Sequence, residues 1–432
     1  MPPLARELNE TLKGSVMMDL LSDFGKRFYF PKGIITQSAE AKQHAHRFNA
    51  TVGMAYSAGK PMFLPSVDRY FTGMDPEEIY SYAPTGGVPE LRTLWKEQII
   101  RKNPAVAGKG TSLPLVVPGL TAGISVLADM FVEEGSPVVV PDLFWGNYRL
   151  IVAGRRRGSL ATFSFFRKDG EGLDLDAMEK AIRESVRDGR VTLILNFPNN
   201  PTGYSPTVEE AKALRDRLLM IADEGVKLLV IHDDAYFGLF YEKGTYTSSL
   251  FNELADSHPN ILAAKVDGGT KEDLTWGFRV GFITFSAGGA TEAQYDALVK
   301  KGMGAIRAAV SNCSKPGQSV MVRALKSASY EAEKQEAYDI LEARYRKVKD
   351  ILSTATLPEG VRVLPFNSGY FMAFDLIQGG AETLRTKLLH EKGIGTISIE
   401  DRYLRVAFAS IDVDDLAELY ATIIGTMNEM LR

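Results

Sequence analysis

Seven short runs rich in apolar and β-branched residues punctuate the middle of the chain, at 113–117, 137–140, 160–166, 191–195, 227–231, 261–266 and 280–285. Longer stretches with helical spacing lie between them, including 124–132, 175–186 and 208–223. This alternation predicts βαβ units and a mostly parallel sheet covered by helices on both faces. The run at 280–285 follows its predecessor too closely for a helical crossover, which predicts an antiparallel member. The fold class expected is therefore α/β, with a seven-stranded sheet as its centre.

Beyond about residue 318 the pattern changes. Ile340, Leu341, Tyr345, Val348, Ile351 and Leu352 fall on one helical stripe within a long charged segment, which predicts a single helix over 318–352 leaving the first domain. Strands are expected at 361–365, 370–376 and 403–409, and helices at 381–391 and 413–431. These describe a smaller α+β domain. No internal repeat, low-complexity tract or disordered linker interrupts the chain.

The bulk numbers exclude several function classes. At 432 residues, 45% hydrophobic and 24% charged, the chain has an ordinary globular composition and enough length for two or three domains. A net charge of -4 leaves no basic footprint for nucleic acid. The single cysteine, Cys313, cannot form an internal disulfide, which fits a reducing compartment. The first seven residues lack the apolar run of a signal peptide. No window reaches the roughly 18 apolar residues of a membrane span. A soluble cytoplasmic protein without membrane or nucleic-acid partners is expected. The five histidines show no metal-ligand spacing, so no metal site is expected. His232 precedes Asp233, but strand alternation points it the other way, and a structural role is expected. No GxGxxG or Walker pattern is present.

The chemistry-bearing residues follow the predicted strands. Lys271 comes after the run 261–266, at the carboxyl end of a strand, where open α/β sheets bind ligands. Most lysines are solvated charges. A catalytic lysine must be partly desolvated so that its neutral amine can attack an aldehyde. Arg279, eight positions on, could hold a phosphate with two hydrogen bonds, or simply begin a strand at the surface. Asp233 closes the run 227–231, where a carboxylate could keep a pyridine nitrogen protonated. Asp234 beside it is an equally acidic competitor, and a helix-cap aspartate is the plain alternative. Tyr236 offers a hydroxyl or merely a core ring. Asn200, in Asn196-Phe197-Pro198-Asn199-Asn200-Pro201-Thr202-Gly203, lies in a turn at the end of another strand. Leu120, Thr121 and Ala122 open a helix after Pro118-Gly119, a weak signal for anion binding by backbone N–H groups. Trp145 follows the run 137–140 and could stack on a flat ring or fill the core. Together these supply an amine, a carboxylate, two hydrogen-bonding groups and a cation. Those are the groups that pyridoxal 5'-phosphate (PLP) needs.

These motifs resemble the fold-type-I PLP enzymes of the aminotransferase class I/II family, over nearly the whole chain and most closely the aspartate aminotransferases. The resemblance implies a large PLP-binding domain at 60–320 and a small domain from 1–59 and 321–432. It assigns PLP contacts to Asn200, Asp233, Tyr236, Lys271 and Arg279, with Thr270 beside the lysine, and ring stacking to Trp145. Tyr82, in Tyr82-Ala83-Pro84-Thr85-Gly86-Gly87, matches the tyrosine that reaches the neighbouring subunit's phosphate, which implies a homodimer with shared active sites. Arg405 matches the arginine that grips the substrate α-carboxylate, and Gly53 the N-terminal glycine segment beside the substrate. Arg307, four residues before Ser311-Asn312, matches the arginine that selects a distal carboxylate across the dimer; a solvated helix arginine is the alternative.

The implied activity is a ping-pong transfer of an amino group from an L-amino acid to a 2-oxo acid through an internal aldimine. Aspartate and 2-oxoglutarate are the leading pair, and aromatic or broad specificity is the alternative. A lyase or decarboxylase on the same scaffold is a further reading, as is a non-catalytic PLP-binding regulator, although no DNA-binding extension is evident. The sequence departs from the family in three places. Gly268 stands where a serine often touches phosphate, Cys313 where proline often follows Ser-Asn, and Tyr148 where a histidine is often found near the ring-nitrogen aspartate.

Overall fold

The structure, a computed structural model, describes residues 1–29 and 33–430. The last residue of the helix expected over 413–431, and positions 30–32 and 431–432 of the expected small domain, lie outside the described residues.

Seven strands form the central sheet: β1 (Leu115–Val117), β2 (Pro137–Pro141), β3 (Ser159–Phe163), β4 (Arg190–Asn196), β5 (Lys227–Asp233), β6 (Ile261–Asp267) and β7 (Gly281–Ala287). Their order is β1-β7-β6-β5-β4-β2-β3. The pairs from β3 to β6 are parallel, while β7 runs antiparallel to both β6 and β1. The close spacing of β6 and β7 leaves no room for a crossover, so the chain reverses.

Alternation along the strands feeds two cores. Leu193, Leu195, Leu228 and Val230 pack with Met178, Ile182, Leu214 and Leu218 on one face. Ile194, Leu229 and Ile231 pack with Ile124, Leu127, Val152 and Val299 on the other. Because both faces are covered, β4 and β5 are buried from their second residue onward. The helix Val208–Asp223 on the first face starts at a capping box. The Thr207 hydroxyl accepts from the Glu210 N–H, and the Glu210 carboxylate accepts from the Thr207 N–H.

The smaller sheet comprises β8 (Val361–Val363), β9 (Met372–Leu376), β10 (Ile397–Ile399) and β11 (Tyr403–Val406), all antiparallel in the order β8-β9-β11-β10. Helices Ala381–Lys392 and Leu416–Met430 cover it through Leu384, Leu388, Ile423 and Met427.

Several expectations are corrected. The single helix over 318–352 is two, Lys315–Leu325 and Tyr330–Thr354. Ser327 and Ser329, whose hydroxyls bond one another at 3.0 Å, sit in the break, where short hydroxyl side chains compete with helical hydrogen bonds. The strand expected over 403–409 stops at Val406, and Phe408–Ser410 forms a helical turn closed by the Ser410 hydroxyl donating to Ala407 O at 2.8 Å. Strand β10 was not anticipated, nor were helices Pro89–Lys102 and Glu292–Ala309. Apart from these corrections, the N-terminal segment makes contacts beside both sheets. Phe48–Asn49 pairs with Ile394–Gly395, and the Gln37 amide bonds both the N–H and the carbonyl of Ser398. The earlier helix Asp23–Arg27 instead meets the large-sheet side, where Arg27 Nε donates to Gly154 O at 3.3 Å.

Candidate active site

The register of the sheet brings the distant motifs together. Asn196 lies opposite Asp233 across β4 and β5, and Asp233 opposite Val266 across β5 and β6. The segments that follow, bearing Asn200, Tyr236 and Lys271, therefore leave the sheet at one edge. There they enclose a cavity of about 120 Å³ lined by Leu120, Thr121, Trp145, Asn200, Asp233 and Tyr236, with Thr270, Lys271 and Arg279 closing it. Asn196, absent from the expected set, also lines it. Its Nδ2 donates to Asp233 O at 2.7 Å and its Oδ1 accepts from the Asn200 N–H at 2.8 Å.

Asp233 is buried. Oδ2 accepts a 2.5 Å hydrogen bond from the Tyr148 hydroxyl, and Oδ1 has no partner among the described residues. Burial raises its pKa to about 6, against the pull of the Tyr148 bond. Asp234 is occupied elsewhere. It pairs with the fully buried Lys265, which also reaches Asp267 Oδ2 at 3.1 Å. Ser249 donates to Asp234 Oδ2 at 2.6 Å, and Trp95 Nε1 to Asp267 Oδ1 at 2.9 Å. Sequence reading missed this cluster, because a lysine in a strand run carries no mark of burial. His232 is buried against the edge of Phe251, its Nε2 has no partner among the described residues, and burial depresses its pKa to about 3. Among the described residues no group of three or more acidic, histidine or cysteine side chains could hold a metal.

Lys271 sits in the short helix Gly269–Glu272 directly after β6. Its Nζ lies 5.2 Å from the centre of the Tyr236 ring. Burial, reinforced by the Arg279 charge and opposed by Asp233, lowers its pKa to about 8. Its carbonyl accepts from the Tyr370 hydroxyl at 3.0 Å. The next residue, Glu272, is held by Lys102 and Lys334, each at 2.7 Å. A side chain at Gly268 would place its Cβ 2.8 Å from Val280 O and 3.1 Å from the Gly281 Cα. Strand β7 thus lies too close for a serine there.

One end of the cavity brings together a guanidinium and the start of a helix. The helix Leu120–Phe131 starts at Gly119, whose φ of 84° favours glycine. The Arg279 guanidinium fills the space over Gly119, where a Cβ would lie 2.3 Å from Nη2. Thr270 Oγ1 is buried there without a partner among the described residues. Ala122 is half-buried and does not line the cavity.

At the other end, Arg405 projects from β11 of the smaller sheet. Its Nη1 donates to Asn200 Oδ1 and its Nη2 to Thr51 O, both at 2.9 Å, and the guanidinium stacks 4.2 Å from the centre of Phe371. Nε is buried without a partner, and no ion pair forms with a carboxylate of the described residues. Burial lowers its pKa to about 10. Gly53 is close by; a Cβ there would meet the Tyr236 hydroxyl at 3.3 Å.

Besides Ala122, the expected residues Tyr82 and Arg307 are not brought to this cavity. Tyr82 is 89% exposed. Arg307 is exposed on helix Glu292–Ala309 and donates to the Ser311 hydroxyl at 2.6 Å. A wider cleft of about 780 Å³ lies at the opposite edge of the sheet, by Pro137, Arg190, Lys227 and Ile261, and contains none of the expected residues.

A family model described as aminotransferase class I and II matches residues 74–423. An aspartate aminotransferase from Geobacillus stearothermophilus is 27% identical over 262 residues, 58% of this chain and 60% of that protein. The alignment thus spans about three fifths of that relative's length. A crystal structure of an aminotransferase from Anaerococcus prevotii superposes with a TM-score of 0.83 at 23% identity, covering 95% of this chain and 99% of that one. An aromatic aminotransferase from Pyrococcus horikoshii superposes with a TM-score of 0.72 at 17% identity, covering 91% and 99%. These likenesses show the same α/β fold. No helix among the described residues is long and apolar enough to cross a membrane.

Proposed function

The chain belongs to the aminotransferase class I and II family, and from that premise we propose that it moves an amino group from an L-amino acid to a 2-oxo acid, with PLP held at Lys271. The unpartnered Oδ1 of Asp233 carries this reading. A buried carboxylate oxygen without a donor is costly unless a ligand supplies one, and the protonated ring nitrogen of PLP is such a donor. The unpartnered Thr270 hydroxyl, the Arg279 guanidinium and the start of helix Leu120–Phe131 suit its phosphate. Trp145 suits a ring face. When bound, PLP supplies an aldehyde that condenses with amines and a cationic ring that takes up the electron pair left at a substrate α-carbon.

The protein's own groups divide the remaining work. Lys271 Nζ, partly neutral near physiological pH because it is buried, would take up the substrate α-proton and hold it for return. Asp233 would hold the proton of the bound cofactor's ring nitrogen. Tyr236 and Asn200, which line the cavity, would hold the phenolic oxygen of the bound cofactor. Arg405 takes the substrate α-carboxylate as a bidentate pair beside Gly53, and its burial without an anion gives that carboxylate a strong partner.

The leading donor is aspartate, with 2-oxoglutarate as acceptor; the aspartate aminotransferase relatives support it, and aromatic donors are second. In this reading residues 60–320 form the large domain, and 1–59 with 321–432 the small one. Two copies share their sites in the cytoplasm, and the exposed Tyr82 and Arg307 of one copy complete the cavity of the other. A donor screen with 2-oxoglutarate tests the proposal. Turnover by a ping-pong pattern supports it, and carbon dioxide release without 2-oxo acid consumption contradicts it.

A further inference from the structure

We propose that Tyr148 is the positioning residue of the ring-nitrogen site: it occupies one oxygen of Asp233 and so leaves the other presented to the cofactor. This inference rests on the PLP reading above.

Three observations carry it. The Tyr148 side chain is 1% exposed, and its hydroxyl donates to Asp233 Oδ2 at 2.5 Å while Oδ1 stays without a protein donor. The ring is held on two sides, stacked 6.2 Å from Phe144 and edge-on 5.6 Å from Trp145, which itself lines the cavity. The Asp233 backbone is fixed by Asn196 at its carbonyl. The carboxylate therefore has one free oxygen and little freedom to turn. The other groups facing Asp233 are the Ala235 N–H, which favours the charged carboxylate, Asp234, paired with Lys265, and Lys271 and Tyr236. Among the described residues none of these side chains hydrogen-bonds the Asp233 carboxylate.

A phenol differs from an imidazole in this role. Burial and the adjacent carboxylate hold the Tyr148 hydroxyl protonated well beyond its ordinary range. It is a donor at every working pH, whereas an imidazole changes its charge near neutrality.

The test is a double-mutant cycle on PLP affinity, with the full-length wild type, Tyr148→Phe, Asp233→Asn and the double variant, each checked for folding by thermal melt. Tyr148→Phe should weaken PLP binding roughly tenfold or more and shift the pH midpoint of the bound cofactor's absorption band. In the Asp233→Asn background the same change should have no effect on affinity. Tyr148→His, which keeps a donor, should restore most of the affinity and covers the case in which Tyr148→Phe fails to fold. Equal losses in both backgrounds, or no loss in the wild-type background, would overturn the inference. A wild type that binds no PLP would overturn the proposed function as well, and is distinguished by the first titration.

Discussion

Arg405, on a strand of the smaller sheet, donates a 2.9 Å hydrogen bond to Oδ1 of Asn200, in the turn that follows a strand of the larger one. This contact joins the two halves of the molecule at the cavity, and it holds a buried cation with no carboxylate beside it. Arg405→Lys replaces a planar fork with a point charge. It should lower kcat/KM about 100-fold, the loss of one or two charged hydrogen bonds. PLP affinity, measured by absorbance titration, should change little. Loss of cofactor instead of substrate binding would contradict the role.

The lysine at the site gives a pH dependence with a defined sign. Its folded pKa is about 8, below the roughly 10.4 of an unfolded lysine. Between those values the unfolded chain binds more protons, so the contribution of Lys271 to stability rises with pH, and its penalty is full below pH 8. Lys271→Met should therefore raise the Tm of the cofactor-free protein at pH 7, and the gain should fade by pH 10. The rate of PLP capture by the wild type should increase through a midpoint near 8.

Removing the buried partner of Asp234 tests the charge cluster beneath the site. Lys265→Met leaves Asp234 and Asp267 buried together without their cation, at an expected cost of about 3–5 kcal/mol in urea unfolding. Adding Asp234→Asn should recover part of that loss. A Lys265→Met protein as stable as wild type would show that the cluster contributes nothing.

Strand alternation, the antiparallel last strand and the carboxyl-edge placement of Asn200, Asp233 and Lys271 were all legible in the sequence, because periodicity and spacing encode them. What connects those positions was not. The family resemblance put Asp233 ahead of Asp234, but the physical reason, Lys265 buried against the latter, is not written in a lysine inside an apolar run. The break at 326–329 was hidden because the apolar stripe of the second helix continues the expectation of a single one. Neither Tyr82 nor Arg307 lines the cavity of its own chain.

Gly268 is held close against the following strand. Gly268→Ser restores the residue often found in the family, but its Cβ would press on Val280 O. It should destabilise the protein by about 1–3 kcal/mol and leave PLP affinity no better. Tighter PLP binding at undiminished Tm would show that the strand moves aside.

Arg307→Val should reduce kcat/KM for aspartate and glutamate far more than for aromatic donors, measured side by side with 2-oxoglutarate or an aromatic oxo acid as acceptor. Equal reductions would remove Arg307 as a selector of distal carboxylates.

The most direct measurement is borohydride reduction of the PLP-loaded protein followed by peptide mass mapping. A single pyridoxyl group on Lys271, absent from the Lys271→Ala protein, is the expected result. A label on another lysine, or no label in a protein that turns over amino acids, would contradict the account.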